Sequence, residues 1–429
     1  MRDIVCNRCS LLCDDVQAEI GNTETKTLGL CRLGHTHLEH VAQKLDTKAI
    51  FRDNSKVVNL DLEKALEKAA EMLLAAKKPL LYGWSRSTNE AIEAGHALAS
   101  TLNATFDSNM TAGLSQAMAN DLHNMKLDIE LEDVQNNGEF ILYWGSNPSE
   151  SSHRHTSRFT VFPRGDNIPQ GVESRVIGVI DIRETETMKM ANHRIIIPIG
   201  QDSELAKALT MDLKGESSEK VSILGLPSST LVGLAQALRK SDFTVIFYGS
   251  GFINTSKIEE NLSSLAELIQ TLRAMGKKAY AMPMWHEPND MGVVKIAGKF
   301  GIGSGAIVYV NGKPQAMNRK NTLQSLSDGE FDVVVVVGSD ALILLPNSAA
   351  RGLAKAKIIY IGSTGGITDS KATLSIGATD DIVSGSGELT RIDMKEVQLK
   401  SWHDTTGHEK NGFEVIKEIH RRVSTKLKN

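Results

Sequence analysis

The four cysteines of this 429-residue chain all lie within its first 31 residues, at Cys6, Cys9, Cys13 and Cys31. Their spacing, C-x2-C-x3-C-x17-C, places three thiols in one short loop and a fourth on the segment that follows. Thiolates are the preferred ligands of iron–sulfur clusters, and a [4Fe-4S] cluster needs one for each iron. The spacing therefore favours a cluster site. Two alternatives stay open: a structural zinc site, which usually has two C-x2-C pairs, and four thiols without metal.

The composition indicates a globular protein of more than one domain. A chain of 429 residues exceeds the size at which a single hydrophobic core stops growing, so two or three domains are expected. No apolar run approaches the ~20 residues of a membrane span, and the N-terminus has no signal-peptide core. The formal net charge of −4 disfavours a nucleic-acid partner. Thiols kept free for a metal indicate a reducing, cytoplasmic location.

Helices and strands must position these thiols and any further site. Residues 1–54 are expected to form a small cysteine-rich cap, with a β-hairpin at the Gly21-Asn22 turn. Apolar residues then recur at helical spacing from Leu60 to Ala76, and a strand follows from Leu80 to Gly83. This helix–strand unit recurs along the chain. Strands that are apolar on both faces and alternate with helices predict an α/β fold with parallel sheets.

Four of these strands end in glycine, at Gly83, Gly145, Gly249 and Gly338. Ligands of parallel sheets bind at the carboxyl ends of the strands, so these turns are the candidate binding site. Each glycine taken alone is explained more simply by a sharp exit from a strand. The chain has no convincing dinucleotide fingerprint, no nucleophile elbow and no Walker loop. A nicotinamide dehydrogenase or an independent hydrolase is therefore not supported.

Several motifs carry a resemblance over essentially the full length of the chain. They are residues 9–15, 144–155 and 181–187, Pro283 and Met284 with Asn289 and Gly292, and residues 387–393. In these motifs the chain resembles the molybdopterin and tungstopterin oxidoreductases, and more narrowly the family of formylmethanofuran dehydrogenase B subunits. The resemblance implies two Rossmann-like doubly wound domains behind the cap, as in formate dehydrogenase and DMSO reductase. It also implies a [4Fe-4S] cluster on the cysteines and a bis-pterin metal centre held by the two domains.

The resemblance also implies a division into domains. The cap covers residues 1–54, the first α/β domain residues 55–145 and 330–400, the second residues 146–329, and a C-terminal helix residues 401–429. Pterin-loaded relatives would bind their cofactor at positions that this chain retains in vestigial form. These positions are Gly145, Asn147, Asp181, Arg183, Glu388 and Arg391.

The residue that binds tungsten or molybdenum in the family is missing. Relatives supply a cysteine or selenocysteine from a loop that corresponds here to residues 107–115, and alignment places Gly113 at the ligand position. Glycine offers no donor atom, which leaves an oxygen ligand from Ser108 or Ser115 as the alternative. We therefore expect no metal redox site, no tungstopterin or molybdopterin, and no catalytic residue.

This combination resembles the B subunit of the bacterial formyltransferase/hydrolase complex of methylotrophs. The resemblance implies a non-redox scaffold in tetrahydromethanopterin-linked one-carbon metabolism, where formyl-tetrahydromethanopterin is converted to formate during formaldehyde oxidation. Its partners would be the other subunits, which handle the methanofuran-type carrier; no nucleic acid or membrane is expected. Two other functions remain open: an active tungsten or molybdenum pterin subunit of formylmethanofuran dehydrogenase, and a stand-alone iron–sulfur protein.

Several histidine, arginine and glutamate side chains near these motifs have two alternative roles each. Residues 153–155, His-Arg-His, suit either anionic groups or subunit contacts. His35, His37 and His40 are expected to decorate a short helix, because the thiols already meet the need for metal ligands. Arg32 corresponds to a lysine that lies between cluster and pterin in relatives, and here a surface role is favoured. Glu287 follows His286 in a loop where solvation is favoured over acid–base catalysis.

Overall fold

The computed structural model describes residues 1–20, 25–42, 48–53, 56–110, 129–216, 225–253, 257–301, 306–317, 321–400 and 410–428. The chain forms two compact units. The first comprises Met1–Gln116, Glu287–Arg391 and Glu396–Asn429, and the second comprises Ala117–His286 and Ile392–Lys395. None of the helices in these described ranges is long and apolar enough to cross a bilayer.

The N-terminal cap is a three-stranded antiparallel sheet followed by a helix. Its elements are β1 (Arg2–Ile4), β2 (Val16–Ile20), β3 (Thr25–Leu28) and α1 (Arg32–Ala42), with sheet order β1-β2-β3. Strands β2 and β3 pair from Gln17 with Leu28 to Ile20 with Thr25. This pairing confirms the predicted hairpin, whose turn residues lie outside the described ranges.

The first unit is built on a nine-stranded sheet of order β14-β13-β7-β6-β15-β16-β17-β4-β5. Its strands are β4 (Ala49–Asp53), β5 (Lys56–Leu60), β6 (Pro79–Gly83), β7 (Thr105–Ser108), β13 (Ile307–Val310), β14 (Lys313–Ala316), β15 (Val333–Val337), β16 (Lys357–Gly362) and β17 (Leu374–Gly377). The central strands β7, β6, β15, β16 and β17 run parallel. A separate hairpin pairs β18 (Glu388–Thr390) with β19 (Glu396–Gln398).

Helices cover both faces of this sheet. They are α2 (Leu62–Leu74), α3 (Asn89–Leu102), α10 (Asp290–Lys299), α11 (Thr322–Ser327), α12 (Ala341–Leu344), α13 (Asn347–Leu353), α14 (Ile367–Lys371), α15 (Asp381–Ser384) and α16 (Gly412–Lys428). Side chains alternate between the faces: Val333, Val335 and Val337 join one core, and Val334 and Val336 join the other. Burial of both faces explains why this strand is an unbroken valine run.

The second unit is a five-stranded, all-parallel sheet of order β10-β9-β8-β11-β12. Its strands are β8 (Phe140–Trp144), β9 (Val176–Asp181), β10 (His193–Ile196), β11 (Phe243–Tyr248) and β12 (Lys278–Pro283). Its α-helices are α4 (Leu131–Asn137), α5 (Pro148–Ser151), α6 (Asp202–Leu213), α7 (Ser228–Lys240), α8 (Ser250–Ile253) and α9 (Ile258–Ala274). A π-helix covers His155–Thr160, and 3-10 helices cover Gly171–Ser174 and Glu186–Met190. Two units built on parallel sheets confirm the predicted α/β class.

The boundaries between the two units differ from the domain boundaries predicted at 145/146 and 329/330. Strand β8 was expected in the first domain, but it is the central strand of the second unit. The β13–β14 hairpin was expected in the second domain, but β13 pairs with β7 in the first unit. An apolar strand pattern indicates burial without specifying which sheet the strand joins. The predicted C-terminal helix begins at Gly412, and residues 401–409 lie outside the described ranges.

Candidate functional site

The loop between β1 and β2 brings three of the cysteines together. The backbone N–H of Cys6 donates to the carbonyl of Cys13 at 2.9 Å, which closes the loop, and the N–H of Leu12 donates to the carbonyl of Cys9 at 3.2 Å. Leu12 adopts a left-handed conformation with φ of 43°, which reverses the chain inside the loop. Cys31 immediately precedes α1. Two segments of the cap therefore supply the four thiols, as the spacing predicted.

The four sulfur atoms lie within electrostatic reach of one another. Burial raises the pKa of the Cys6 thiol well above its usual value, and the neighbouring Cys9, Cys13 and Cys31 raise it further. Burial, followed by Cys13, raises the pKa of Cys9 to about 12. A neutral thiol is therefore the stable form of Cys6 and Cys9 until a cation compensates the thiolate charge.

A glycine on α1 makes room for two of these thiols. A Cβ atom added to Gly34 would lie 3.0 Å from the Sγ of Cys6 and 3.8 Å from the Sγ of Cys31. The backbone N–H of Gly34 also donates to the Sγ of Cys31 at 3.4 Å. Within the described part of the chain, no group of three or more His, Cys, Asp or Glu side chains is arranged around a single metal ion. The donor set, four thiols from two segments, fits a multi-iron cluster, whose presence stays a prediction.

The histidines after Cys31 lie on a helix, as expected. His35 contacts the Oγ1 of Thr27 at 3.0 Å and the carboxylate of Glu39 at 3.3 Å. Arg32 is exposed, in agreement with the surface role. Among these three histidines, His37 contacts the cysteine loop, where its Nε2 lies 2.9 Å from the Oδ1 of Asn7.

In the second unit, the glycine turns after β8 and β11 pack backbone against backbone. The N–H of Gly145 donates to the carbonyl of Ile180 at 2.8 Å, and its carbonyl accepts from the N–H of Gly251 at 2.9 Å. Gly145 has φ of +56°, and a Cβ there would lie 2.3 Å from the backbone nitrogen of Phe252. A side chain at Gly249 would likewise lie 2.5 Å from the carbonyl oxygen of Gly145. Glycine is therefore required at this edge for strand packing, whether or not a ligand binds there.

Polar side chains of the predicted pterin site follow β8 and β9, which are neighbours in the sheet. The Oδ1 of Asn147 accepts hydrogen bonds from the Oγ1 and N–H of Thr187 at 2.5 and 3.3 Å. The Oδ1 of Asp181 accepts from the N–H groups of Ile182 and Arg183 at 2.8 and 3.3 Å. The guanidinium of Arg183 lies 3.8 Å from the carboxylate of Glu150. Asp181 thus caps its own turn, whereas Asn147 and Arg183 link the turn after β8 to the turn after β9.

The other two predicted pterin residues belong to the first unit. Glu388 begins β18, and its N–H donates to the Oε2 of Glu90 at 3.1 Å. Arg391 follows the same strand and is almost fully buried, with 1% of its surface exposed. The structure therefore gathers Gly145, Asn147, Asp181 and Arg183 at one sheet edge of the second unit, and places Glu388 and Arg391 in the first unit.

The predicted metal-ligand position lies outside the described ranges. Gly113 and the alternative ligand Ser115 are both in the segment 111–128, which is not described. The other alternative, Ser108, ends β7 and is fully buried.

Sequence reasoning did not identify the acidic surroundings of the turn after β6. Arg86 in this turn pairs with Glu287, with 2.6 Å between Nε and Oε2, so the expectation that Glu287 is solvated is wrong. Asp290 and Asp381 are also buried beside the turn, and the Oδ2 of Asp381 accepts the N–H of Thr88 at 3.1 Å. Burial, together with Asp380 and Glu90, raises the pKa of Asp381 well above its usual value. The sequence signal for this site was Arg86, a basic residue three positions after Gly83 at the end of β6.

Asp290 gives this turn a measurable pH dependence. Burial, followed by repulsion from Glu287, raises the pKa of Asp290 to about 7, whereas an unfolded aspartate titrates near about 3.9. Between these values the folded state binds more protons than the unfolded state, so this group lowers the stability as the pH rises from about 4 to 7. From pH 4.5 to pH 7.5 this decline amounts to about 3 kcal/mol, and Asp290→Asn is expected to remove it.

Chemical denaturation at a series of pH values checks this expectation. Asp166→Asn is the matched control, because Asp166 is exposed. A parallel pH profile for Asp290→Asn and the wild type would show that Asp290 is ionised at neutral pH in the folded protein.

The His-Arg-His segment differs from the expectation. His155 is fully buried at the start of the π-helix, where its Nδ1 lies 3.1 Å from the hydroxyl of Tyr143. Burial lowers the pKa of His155 to about 3, so the ring is neutral and does not attract anions. The π-helix that begins at His155 therefore takes this ring into the interior and away from solvent.

Comparison with known proteins covers the whole chain. The chain is 27% identical over 434 aligned residues to the B subunit of the tungsten-containing formylmethanofuran dehydrogenase 2 of Methanocaldococcus jannaschii, with 100% of this chain and 99% of the relative aligned. It is 26% identical to the protein of the same name from Methanococcus maripaludis, over 84% of each chain. No protein-family model matches. The predicted resemblance to formylmethanofuran dehydrogenase B subunits is thereby confirmed over the full length.

Solved structures support the fold. A chain of the formyltransferase/hydrolase complex of Methylorubrum extorquens, solved with methylofuran, superposes with a TM-score of 0.67 at 17% identity, covering 89% of this chain and 100% of that one. Acetylene hydratase of Pelobacter acetylenicus superposes with a TM-score of 0.70 at 12% identity, covering 100% of this chain and 70% of that one. At these identities the similarity establishes the architecture, which agrees with the expected two α/β units behind a cap.

Proposed function

We propose that this chain is the B-type subunit of a formylmethanofuran dehydrogenase-like assembly, and that it acts there as a scaffold without a tungsten or molybdenum pterin centre. In the assembly, formyl-tetrahydromethanopterin would be converted to formate by formyl transfer and hydrolysis on partner subunits. Similarity over the full length to one formylmethanofuran dehydrogenase B subunit, and over 84% of the chain to a second, supports the assembly type. The scaffold role is the further step that we propose.

One observation carries the scaffold role: the chain has no cysteine after Cys31. In the family, a thiolate or selenolate of the first α/β domain ligates tungsten or molybdenum, and the resemblance predicts Gly113 at that position here. All four cysteines are placed in the cap, so none is available for a second metal centre. Without a soft anionic donor, the protein offers no ligand of the usual kind for such a metal.

The electrostatics of the first unit also support a scaffold. A pyrophosphate group of a pterin dinucleotide needs cationic or N–H donors. At the turn after β6, the cation Arg86 is already paired with Glu287. Nearby Asp290 and Asp381 are buried carboxyl groups that add no positive charge for an anion.

The proposal places the protein in the cytoplasm with partner subunits. Four thiols without a disulfide suit a reducing compartment. The partners would carry the formyltransferase and hydrolase activities and bind a methanofuran-type carrier. A [4Fe-4S] cluster on Cys6, Cys9, Cys13 and Cys31 would stabilise the cap.

The proposal is tested by purifying the tagged chain with its native partners. We expect transferase and hydrolase subunits to copurify, and formate to be released from the formyl-tetrahydromethanopterin donor with no reduction of a viologen dye. Recovery of the chain alone would contradict the assembly, and dye reduction in step with formyl oxidation would contradict the scaffold role.

A second function, an active pterin subunit, is favoured by the names of the two relatives, both of which are tungsten-containing enzymes. It would require an oxygen ligand in place of the thiolate, from Ser108 or Ser115. Dye reduction by the purified assembly separates the two functions.

A further inference from the structure

The cysteine loop is joined to the rest of the first unit by a buried amide. Asn7 lies between Cys6 and Cys9, and only 3% of its surface is exposed. Its Oδ1 lies 2.9 Å from the Nε2 of His37 on α1, and its Nδ2 donates to the Oδ1 of Asp380 at 2.7 Å. The three residues are thus a bridge between the loop, the helix that follows Cys31, and the segment after β17.

The orientation of this amide is determined by its partners. A carboxylate only accepts hydrogen bonds, so the NH2 group of Asn7 must face Asp380. Burial lowers the pKa of His37 to about 4, so its ring is neutral and carries one N–H. That N–H must lie on Nε2 to donate to the remaining oxygen of Asn7. Rotating the amide by half a turn would turn its oxygen toward the carboxylate of Asp380, where two acceptors would repel each other.

The bridge acts on the segment that carries two of the predicted ligands. A residue with both side-chain groups bonded inside the protein cannot shift without breaking buried hydrogen bonds. Cys6 and Cys9 flank this residue on a loop that is otherwise short of regular structure. Groups that hold metal ligands in place typically change metal retention when they are removed.

We propose that Asn7 is a positioning residue, and that its bridge from Asp380 to His37 determines how firmly the cysteine loop retains an iron–sulfur cluster. The inference rests on the part of the proposed function that places a cluster on the four cysteines, and it is independent of the scaffold role. Loading the site and forming the bridge are reciprocally coupled. Breaking the bridge therefore lowers cluster affinity, and losing the cluster loosens the bridge.

Asn7→Asp is the sharpest test, because it keeps the size of the side chain and replaces the donor facing Asp380 with an acceptor. The complete chain, reconstituted anaerobically with iron and sulfide, is challenged with an iron chelator while the cluster absorbance is followed. We expect iron loss to be about tenfold faster than in the wild type, the change that corresponds to one charged hydrogen bond. Asn7→Ala, which adds no repulsion, should give a smaller increase in the same direction.

Gln17→Glu is the matched control, because the Nε2 of Gln17 also donates to a carboxylate of the cap, Asp3, at 2.8 Å on the surface. It makes the same amide-to-acid change without burial, and the rate of iron loss should be unchanged.

The reciprocal pair Asn7→Asp with Asp380→Asn distinguishes positioning from general damage. It restores a donor opposite an acceptor, so iron retention should return most of the way to the wild-type rate. If the two substitutions acted independently, their effects on the rate of iron loss would instead add. Wild-type retention in Asn7→Asp, or a double variant that loses iron faster than either single variant, would overturn the proposal. A wild-type protein that takes up no iron would overturn it together with the cluster, and would leave the scaffold role standing.

Discussion

Asn289→Ala is expected to destabilise the first unit by about 4 kcal/mol, because it removes three buried side-chain hydrogen bonds at once. Asn289 is fully buried. Its Nδ2 donates to the carbonyl of Ser87 at 2.7 Å and to the Oδ1 of Asn89 at 3.1 Å, and its Oδ1 accepts the N–H of Thr390 at 2.6 Å. The variant leaves the Ser87 carbonyl and the Thr390 N–H without these bonds in the interior.

These bonds tie the turn after β6 to β18, which carries the predicted pterin residue Glu388. Urea denaturation measures the loss of stability, and hydrogen exchange should rise in both segments. Asn167→Ala is the control, because the amide of Asn167 bonds Asn137 on the surface at 2.7 Å. A loss below about 1 kcal/mol for Asn289→Ala would show that the bonds are replaced by water, contrary to the account.

Gly145→Ala is expected to destabilise the second unit by about 3 kcal/mol or more. The left-handed φ of +56° contributes about 1 kcal/mol for any residue with a Cβ. The larger part is steric: the new Cβ would lie 2.3 Å from the backbone nitrogen of Phe252 and 2.7 Å from the carbonyl carbon of Gly251. Backbone atoms cannot rotate away, so β8 and the turn after β11 must separate.

Gly200→Ala separates the two contributions in the same unit. Gly200 also has a left-handed φ, of +75°, but a Cβ there would meet nothing within 4 Å. Thermal denaturation should therefore show a small loss for Gly200→Ala and a much larger one for Gly145→Ala. Equal losses would mean that conformational strain alone explains the glycine, and that the two turns are not in tight contact.

The strands, the glycine turns and the cap hairpin could be predicted from local sequence. The valine run of β15 indicates burial on both faces, and the alternation before Gly21 indicates a hairpin. Both patterns depend on residues that are close in the sequence. Helix bounds were also close: the helix predicted from Leu60 to Ala76 covers Leu62–Leu74.

Contacts between distant residues could not be predicted in this way. The boundary beside β8 was misplaced, because strands of both sheets share one apolar pattern. The hydrogen bonds of Asn289 join segments that are 101 to 202 residues apart in the sequence. Residue spacing within a local motif does not predict such contacts. His155 was expected to contact anionic groups or another subunit, yet it packs against Phe247 with ring centroids 4.6 Å apart. The ligand position Gly113 was inferred from resemblance alone and stays a prediction.

The central claim is that the chain holds no heavy-metal pterin centre, and elemental analysis of the native assembly tests it most directly. Iron, tungsten and molybdenum are measured per chain together with extractable pterin. The account predicts iron near four per chain with tungsten, molybdenum and pterin far below one, since a [4Fe-4S] cluster contains about four irons. One equivalent of tungsten or molybdenum with its pterin would contradict the account.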